Sequence, residues 1–224
     1  MEERVITRRD FFRVAAGAAM AAALGPGVRG EAQAEPTARV VLIRNAGVLG
    51  GNGRIQGEIL QAMLDEAVKV LLGAKEPLEA WQTLFKSSDV VGVKSNEWSK
   101  LPTPKELEAA IKRRLLDAGV ADKNMAIADR GVLDNPIFQQ ATALVNVRPL
   151  RSHHWAGVGT CLKNYIQFTP NRSSYHEEAC SNLGRIWTYP VVQGKTRLNI
   201  LSVLTPQFYG RGANFFDTRY VWPY

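Results

Sequence analysis

The chain has 224 residues, a formal net charge of +7 and only two cysteines, Cys161 and Cys180. Two cysteines exclude an iron–sulfur cluster ligated by four thiolates of this chain. The basic residues are scattered apart from Lys112-Arg113-Arg114 and form no recognisable nucleic-acid module. The charge therefore implies acidic partners only in a general way, Lys112–Arg114 is expected to be a solvated face, and nucleic acid is not an expected partner.

The first element in chain order is a leader. Thr7-Arg8-Arg9-Asp10-Phe11-Phe12-Arg13 precedes the alanine-rich run Val14–Leu24, the pattern of a twin-arginine export signal. That run is short of the roughly 20 apolar residues needed to span a bilayer, and Gly25-Pro26-Gly27 breaks any helix after it. Ala32-Gln33-Ala34 places small residues where a signal peptidase reads them, so cleavage is expected after Ala34. Residues 1–34 are then a signal peptide and residues 35–224 the mature domain, periplasmic or otherwise exported, with the twin-arginine translocase as a partner. The mature part keeps about +6 of the charge and contains no other apolar segment long enough for a stable membrane span. The route carries folded proteins, so the domain must form in a reducing compartment, and free thiols are expected.

The mature region opens with Val40-Val41-Leu42-Ile43, an apolar, β-branched run predicted as a buried strand. Gly47, Gly50, Gly51 and Gly53 follow, and their spacing matches neither nucleotide-binding fingerprint; a flexible turn is expected. Ile55, Ile59, Leu60, Met63, Ala67, Val70 and Leu71 recur at helical spacing, and Pro77–Phe85 predicts a short helix. Val90–Val93 reads as a strand ending in Lys94-Ser95-Asn96. The next helix is predicted to have Thr103 as N-cap, Pro104 at its first position, Glu106 closing a capping box and Gly119 at its end. Met125–Ala128 is a further strand stopping at Asp129, Asn135–Ala143 a helix and Leu144–Val147 a strand. This alternation predicts an α/β fold with a mainly parallel sheet and helices on both faces. In such sheets ligands bind beyond the carboxyl ends of the strands, where Asn45, Lys94, Asn96 and Asp129 fall.

After Arg151 the texture changes. Trp155–Thr160 is a small-residue loop, Arg172–Trp187 reads as helical and Leu198–Leu204 as a strand. The end at Phe215–Tyr224 is aromatic and apolar, and predicts a C-terminally truncated domain. Arg151-Ser152-His153-His154, Lys163-Asn164 and Tyr175-His176 gather all three histidines with a lysine. These residue types bind anions, ligate metals or transfer protons. Adjacent His153 and His154 are expected to point opposite ways in an extended segment and not to share a metal. Cys161 belongs to no zinc-ligand spacing, so the metal stays open.

Val90–Asn96, the helix Pro104–Gly119, the strand ending at Asp129 and the segment His153–Asn164 followed by Tyr175-His176 resemble the domain of unknown function 362 family. The resemblance covers roughly residues 40–224, with Lys163-Asn164 its most specific part. Arg151 stands where that family commonly has lysine, Gly159-Thr160 is shifted, and a C-terminal family segment is missing. The resemblance implies a functional cluster of Lys163, His154 and Asp129 as catalytic groups, with Lys94, Asn96, His153, Asn164 and His176 holding a cofactor. It also implies an uncharacterised, redox-associated activity, with an iron–sulfur cluster or other cofactor carried by a redox partner protein. The residues themselves leave open a small-anion or metal binding protein without catalysis, and a non-functional fragment.

Overall fold

The computed structural model describes residues 38–209. The leader, residues 1–34, and the aromatic end, residues 215–224, lie outside the described residues. The described elements belong to one compact unit, Val40–Tyr224. In chain order they are α1 (Gly57–Leu72), α2 (Pro77–Leu84), β1 (Val91–Lys94), α3 (Lys105–Asp117), β2 (Met125–Ala128), α4 (Pro136–Gln140), β3 (Ala143–His153), β4 (Gly157–Gly159), α5 (Cys161–Asn164) and β5 (Thr196–Gln207). Between α5 and β5 the chain runs mostly in 3-10 turns.

The result is an α/β fold built on a mixed sheet, in place of the mainly parallel one expected, because β4 turns back along the end of β3. β1 pairs in parallel with β2 on one side and β3 on the other. β3 also pairs in parallel with β5, and its end, Arg151–His153, pairs antiparallel with β4. Alternating residues divide the sheet into two faces. Val91, Val93, Ala143, Val145, Val147 and Leu198 pack with Leu60, Leu64 and Val68 of α1, Trp81 of α2, and Leu107, Ile111 and Leu115 of α3. On the opposite face Leu144 joins Phe138 of α4, Tyr165, Phe168, Leu183 and Ile186. Gly92 allows this second layer its close approach. A Cβ there would lie 2.7 Å from the Phe138 ring and 2.9 Å from Leu144.

Local signals place most of the elements. Gly73 and Gly119 terminate α1 and α3 with φ of 68° and 98°, conformations that cost glycine little. Asn135 caps α4, its Oδ1 accepting from Ile137 N at 2.9 Å.

Other expectations are corrected. Val40–Ile43 is not a strand: among the described residues it joins no ladder, and Val40 and Leu42 are 87% and 66% exposed. β propensity yields a strand only where a neighbour offers a ladder and a face to bury. Thr103 is not the cap of α3, which begins after Pro104 with no side-chain cap. Thr103 Oγ1 instead accepts from Asn96 N at 3.1 Å, and Thr103 N donates to Asn96 O at 2.7 Å, tying the loop after β1 to the helix start.

The third strand runs on to His153, well past Val147, and absorbs Pro149 at a register shift between Pro149 and Arg151. Arg172–Trp187 is no continuous α-helix. Glu178, Ala179 and Cys180 have φ of 47°, 56° and 64°, which interrupts it. Left-handed residues of this kind cost about 1–2 kcal/mol each, and burial of Cys180, Leu183 and Ile186 offsets that cost. Arg114 is likewise not on a purely solvated face: it bonds both oxygens of Asp65 on α1 and reaches Asp117 at 2.7 Å. Among the described residues, no helix is long and apolar enough to cross a membrane.

Candidate functional site: a basic cleft at the strand ends

The site begins where β1 and β2 stop. Lys94 shares its sheet face with Gly92, so its side chain runs beneath the second layer and is fully enclosed. Its Nζ donates to Asp129 Oδ1 at 2.5 Å, Ser95 O at 2.6 Å and Asn164 Oδ1 at 3.4 Å. Burial pushes Lys94 down to about 8, although the Asp129 carboxylate pulls it up. The second oxygen of Asp129 accepts from Glu97 N at 3.0 Å, so this carboxylate clamps the ends of the two strands together.

Asn164, at the end of α5, is the hub. Its Nδ2 donates to Asn146 Oδ1 at 2.9 Å, Lys94 O at 3.0 Å and Val147 O at 3.2 Å. Its Oδ1 accepts from Asn96 Nδ2 at 3.3 Å. Asn146 in turn donates to Cys161 O and Asn199 Oδ1, at 2.9 and 3.0 Å. Four elements are thereby locked together by neutral amides, and α5 presents the neighbouring Lys163 to a cleft of about 310 Å³.

That cleft is basic. Arg130, Arg148, Arg151, Lys163 and Arg172 line it against the carboxylate of Asp129, which Lys94 already neutralises. Arg148 shares the sheet face of Lys94 and Asn146 and is only 1% exposed. Its Nη1 donates to Thr160 O at 3.3 Å, but Nε and Nη2 are buried with no hydrogen-bond partner among the described residues. These two N–H groups form one edge of the planar guanidinium fork, the edge that grips a carboxylate or phosphate with two bonds. Arg151 Nε is also buried without a partner among the described residues, and its guanidinium lies 3.9 Å from the centre of the Trp98 ring. Burial, and for Arg148 the neighbouring Arg151, pushes both arginines down to about 10.

Lys163 Nζ lies 2.8 Å from His176 Nε2. The other ring nitrogen, Nδ1, lies 3.0 Å from Arg172 O. A carbonyl oxygen only accepts, so Nδ1 carries the proton, and Nε2 of the neutral ring accepts from Lys163. Burial and the Lys163 charge lower the His176 pKa and keep the ring neutral. His153 also lines the cleft; burial, then Lys163 and Arg151, push it down to about 3, and its Nδ1 accepts from Ala156 N at 3.2 Å.

His154 is exposed and lies outside the cleft lining. The two adjacent rings do not point apart: they stack 5.5 Å from each other, because His154 already sits in the turn after β3. Among the described residues, no group of three or more His, Cys, Asp or Glu side chains could hold a metal ion. Cys161 and Cys180 are free thiols, and burial raises Cys161 to about 11, far from a reactive thiolate. The glycine loop closes on itself through Gly50 N to Arg54 O and Gly53 N to Gly50 O, both 2.8 Å, and lines no part of the cleft.

Of the residues expected from sequence, Lys94, Asn96, Asp129 and Asn164 thus share one network, while Lys163, His153 and His176 share the adjoining wall. Asn146, Arg148, Trp98 and Arg172 were not among them. Asn146 and Arg148 were detectable in principle, as polar residues alternating with Val145 and Val147 in a strand otherwise fit for burial. No family model, curated protein or solved structure matches this chain.

Proposed function

We propose that this protein binds a small anion in the basic cleft, with the side edge of Arg148 as its principal anchor. The observation that carries this reading is the buried pair of Arg148 N–H groups without partners among the described residues. Leaving such groups unsatisfied costs about 1–3 kcal/mol apiece, and a carboxylate or phosphate would satisfy both through charge-assisted bonds. Arg151 and Lys163 add positive potential. Asn96 Oδ1, also buried without a partner among the described residues, supplies an acceptor for a ligand hydroxyl. The same surplus of cations disfavours a metal ion in this cleft.

Calorimetry and thermal shift of the full chain against phosphate, sulfate, lactate and succinate, with magnesium and zinc as controls, test the reading. Anions should raise the melting temperature and the metals should not. Binding should weaken at least tenfold in Arg148→Lys, which cannot reproduce a two-bond grip. No response to any anion, or equal affinity in the variant, overturns the proposal.

Two further parts rest on sequence. Export to the periplasm by the twin-arginine route is supported by residues 7–34, and a reporter fused to residues 1–34 should stop being exported when Arg8 and Arg9 become lysines; continued export would refute it. Membership of the domain of unknown function 362 family, and the redox partnership that goes with it, is supported by the resemblance alone. Purification from the native host without a cofactor-bearing companion would count against the partnership.

A further inference from the structure

The two buried lysines of the site differ in their surroundings. Lys94 Nζ is held by three oxygen acceptors, one of them a carboxylate, which take up all of its N–H groups. Among the described residues Lys163 Nζ forms no ion pair with a carboxylate. Among the described residues its hydrogen-bond partner is a neutral imidazole, His176 Nε2, whose orientation is fixed from behind by Arg172 O. Lys163 and Arg148 line the same cleft.

From this geometry we infer that Lys163 is a nucleophilic amine that condenses with the carbonyl of a 2-oxo acid, whose carboxylate is held by Arg148. This deepens the anion-binding reading and rests on it. The amine lone pair attacks the carbonyl carbon, a C–N bond forms, and His176 Nε2 takes the proton released from nitrogen. His176 gives that proton to the alkoxide oxygen, forming the carbinolamine, and then carries the second amine proton to the hydroxyl, which leaves as water as C=N forms. Over the whole step C=N replaces C=O, the oxygen departs as water with the two amine protons, and no electrons are gained or lost.

The electrostatics agree with the geometry. Burial foremost, with Arg148 and Arg151 of β3 besides and Cys180 acting the other way, holds Lys163 down to about 8. His153 and His176 face it without adding charge, because both are pushed below the ordinary histidine value. A usable fraction of free amine therefore exists near neutral pH, which an exposed lysine lacks. Trp98 and Trp155 line the same cleft and offer apolar surface to the remainder of the acid.

Reductive trapping tests the inference. The full chain is incubated with pyruvate or phenylpyruvate and cyanoborohydride, and the adduct is located by peptide mass mapping. Lactate and phenyllactate, which have the carboxylate but no carbonyl, are titrated in parallel by calorimetry. A reduced adduct on the peptide carrying Lys163, gained faster with rising pH up to about 8, supports the inference. So do at least a tenfold loss of labelling in Lys163→Arg and slower labelling in His176→Gln. Mapping on the wild-type chain remains decisive if either variant fails to fold. Hydroxy acids bound but no Lys163 adduct from the oxo acids overturns the imine and leaves anion binding intact. Labelling spread over surface lysines, or unchanged in Lys163→Arg, also overturns it. Failure to bind any of these acids or phosphate removes both proposals together.

Discussion

Replacing Arg148 with methionine should move stability and binding in opposite directions. The side chain is 1% exposed and leaves Nε and Nη2 unsatisfied among the described residues. Two such groups destabilise the free protein by about 2–6 kcal/mol, taking about 1–3 for each. Against this, methionine forfeits the 3.3 Å bond to Thr160 O, a loss of about 1 kcal/mol, and fills the space less fully. The net is a gain of about 1–3 kcal/mol, which for a chain of this size raises Tm by about 2–12 °C. Binding should suffer by two charge-assisted bonds, about 3–6 kcal/mol, or about two to four decades in Kd. Differential scanning calorimetry without and with saturating lactate or phosphate reads both quantities: the variant should start higher than wild type and fail to respond to the anion. A lower Tm without anion combined with an unchanged Kd would refute the reasoning, since Arg148 would then be satisfied within the fold and idle in the cleft.

Gly92→Ala should destabilise by about 1–3 kcal/mol through overpacking, because the added methyl lies 2.7 Å from the Phe138 ring; a wild-type urea midpoint would contradict this. Arg197 donates to both oxygens of Asp89, at 2.6 and 3.0 Å. Burial alone would raise Asp89, but these bonds, with those from Lys86 N and Thr142, bring it below its ordinary 3.8. A depressed carboxylate contributes stability above pH 3.8 that is lost as the pH falls through its folded value, so Arg197→Met should flatten the acid limb of a stability–pH curve, and an unchanged limb would count against the pair. Thr103→Ala should weaken anion binding several-fold by freeing the Asn96 loop, whereas Glu106→Ala, altering an exposed side chain, should change stability by no more than about 0.5 kcal/mol. An unchanged anion affinity in Thr103→Ala would count against the tie between Thr103 and the Asn96 loop.

Much of this was legible without coordinates. Helical spacing and glycine stops located α1 and α3, and Pro77 marked the start of α2. Buried apolar runs located β1 and β2, and polar residues following them pointed to Lys94, Asn96 and Asp129. These are short-range signals, set by periodicity and backbone preference within a few residues. The remainder depends on partners distant in sequence. Val40–Ile43 has the composition of a strand, yet a ladder requires a neighbouring edge, which composition cannot supply. Thr103 has the chemistry of a cap, but the loop at Asn96 competes for its hydroxyl and wins. Arg148 drew no attention in the sequence; the register of β3 against β1 and β5 places it on the face of Lys94 and Asn146, where it is 1% exposed. The ends of β1 and β2 were thus settled by the sequence alone. Which cation is left unsatisfied, and which lysine faces a neutral histidine in place of a carboxylate, was decided by the packing of the sheet.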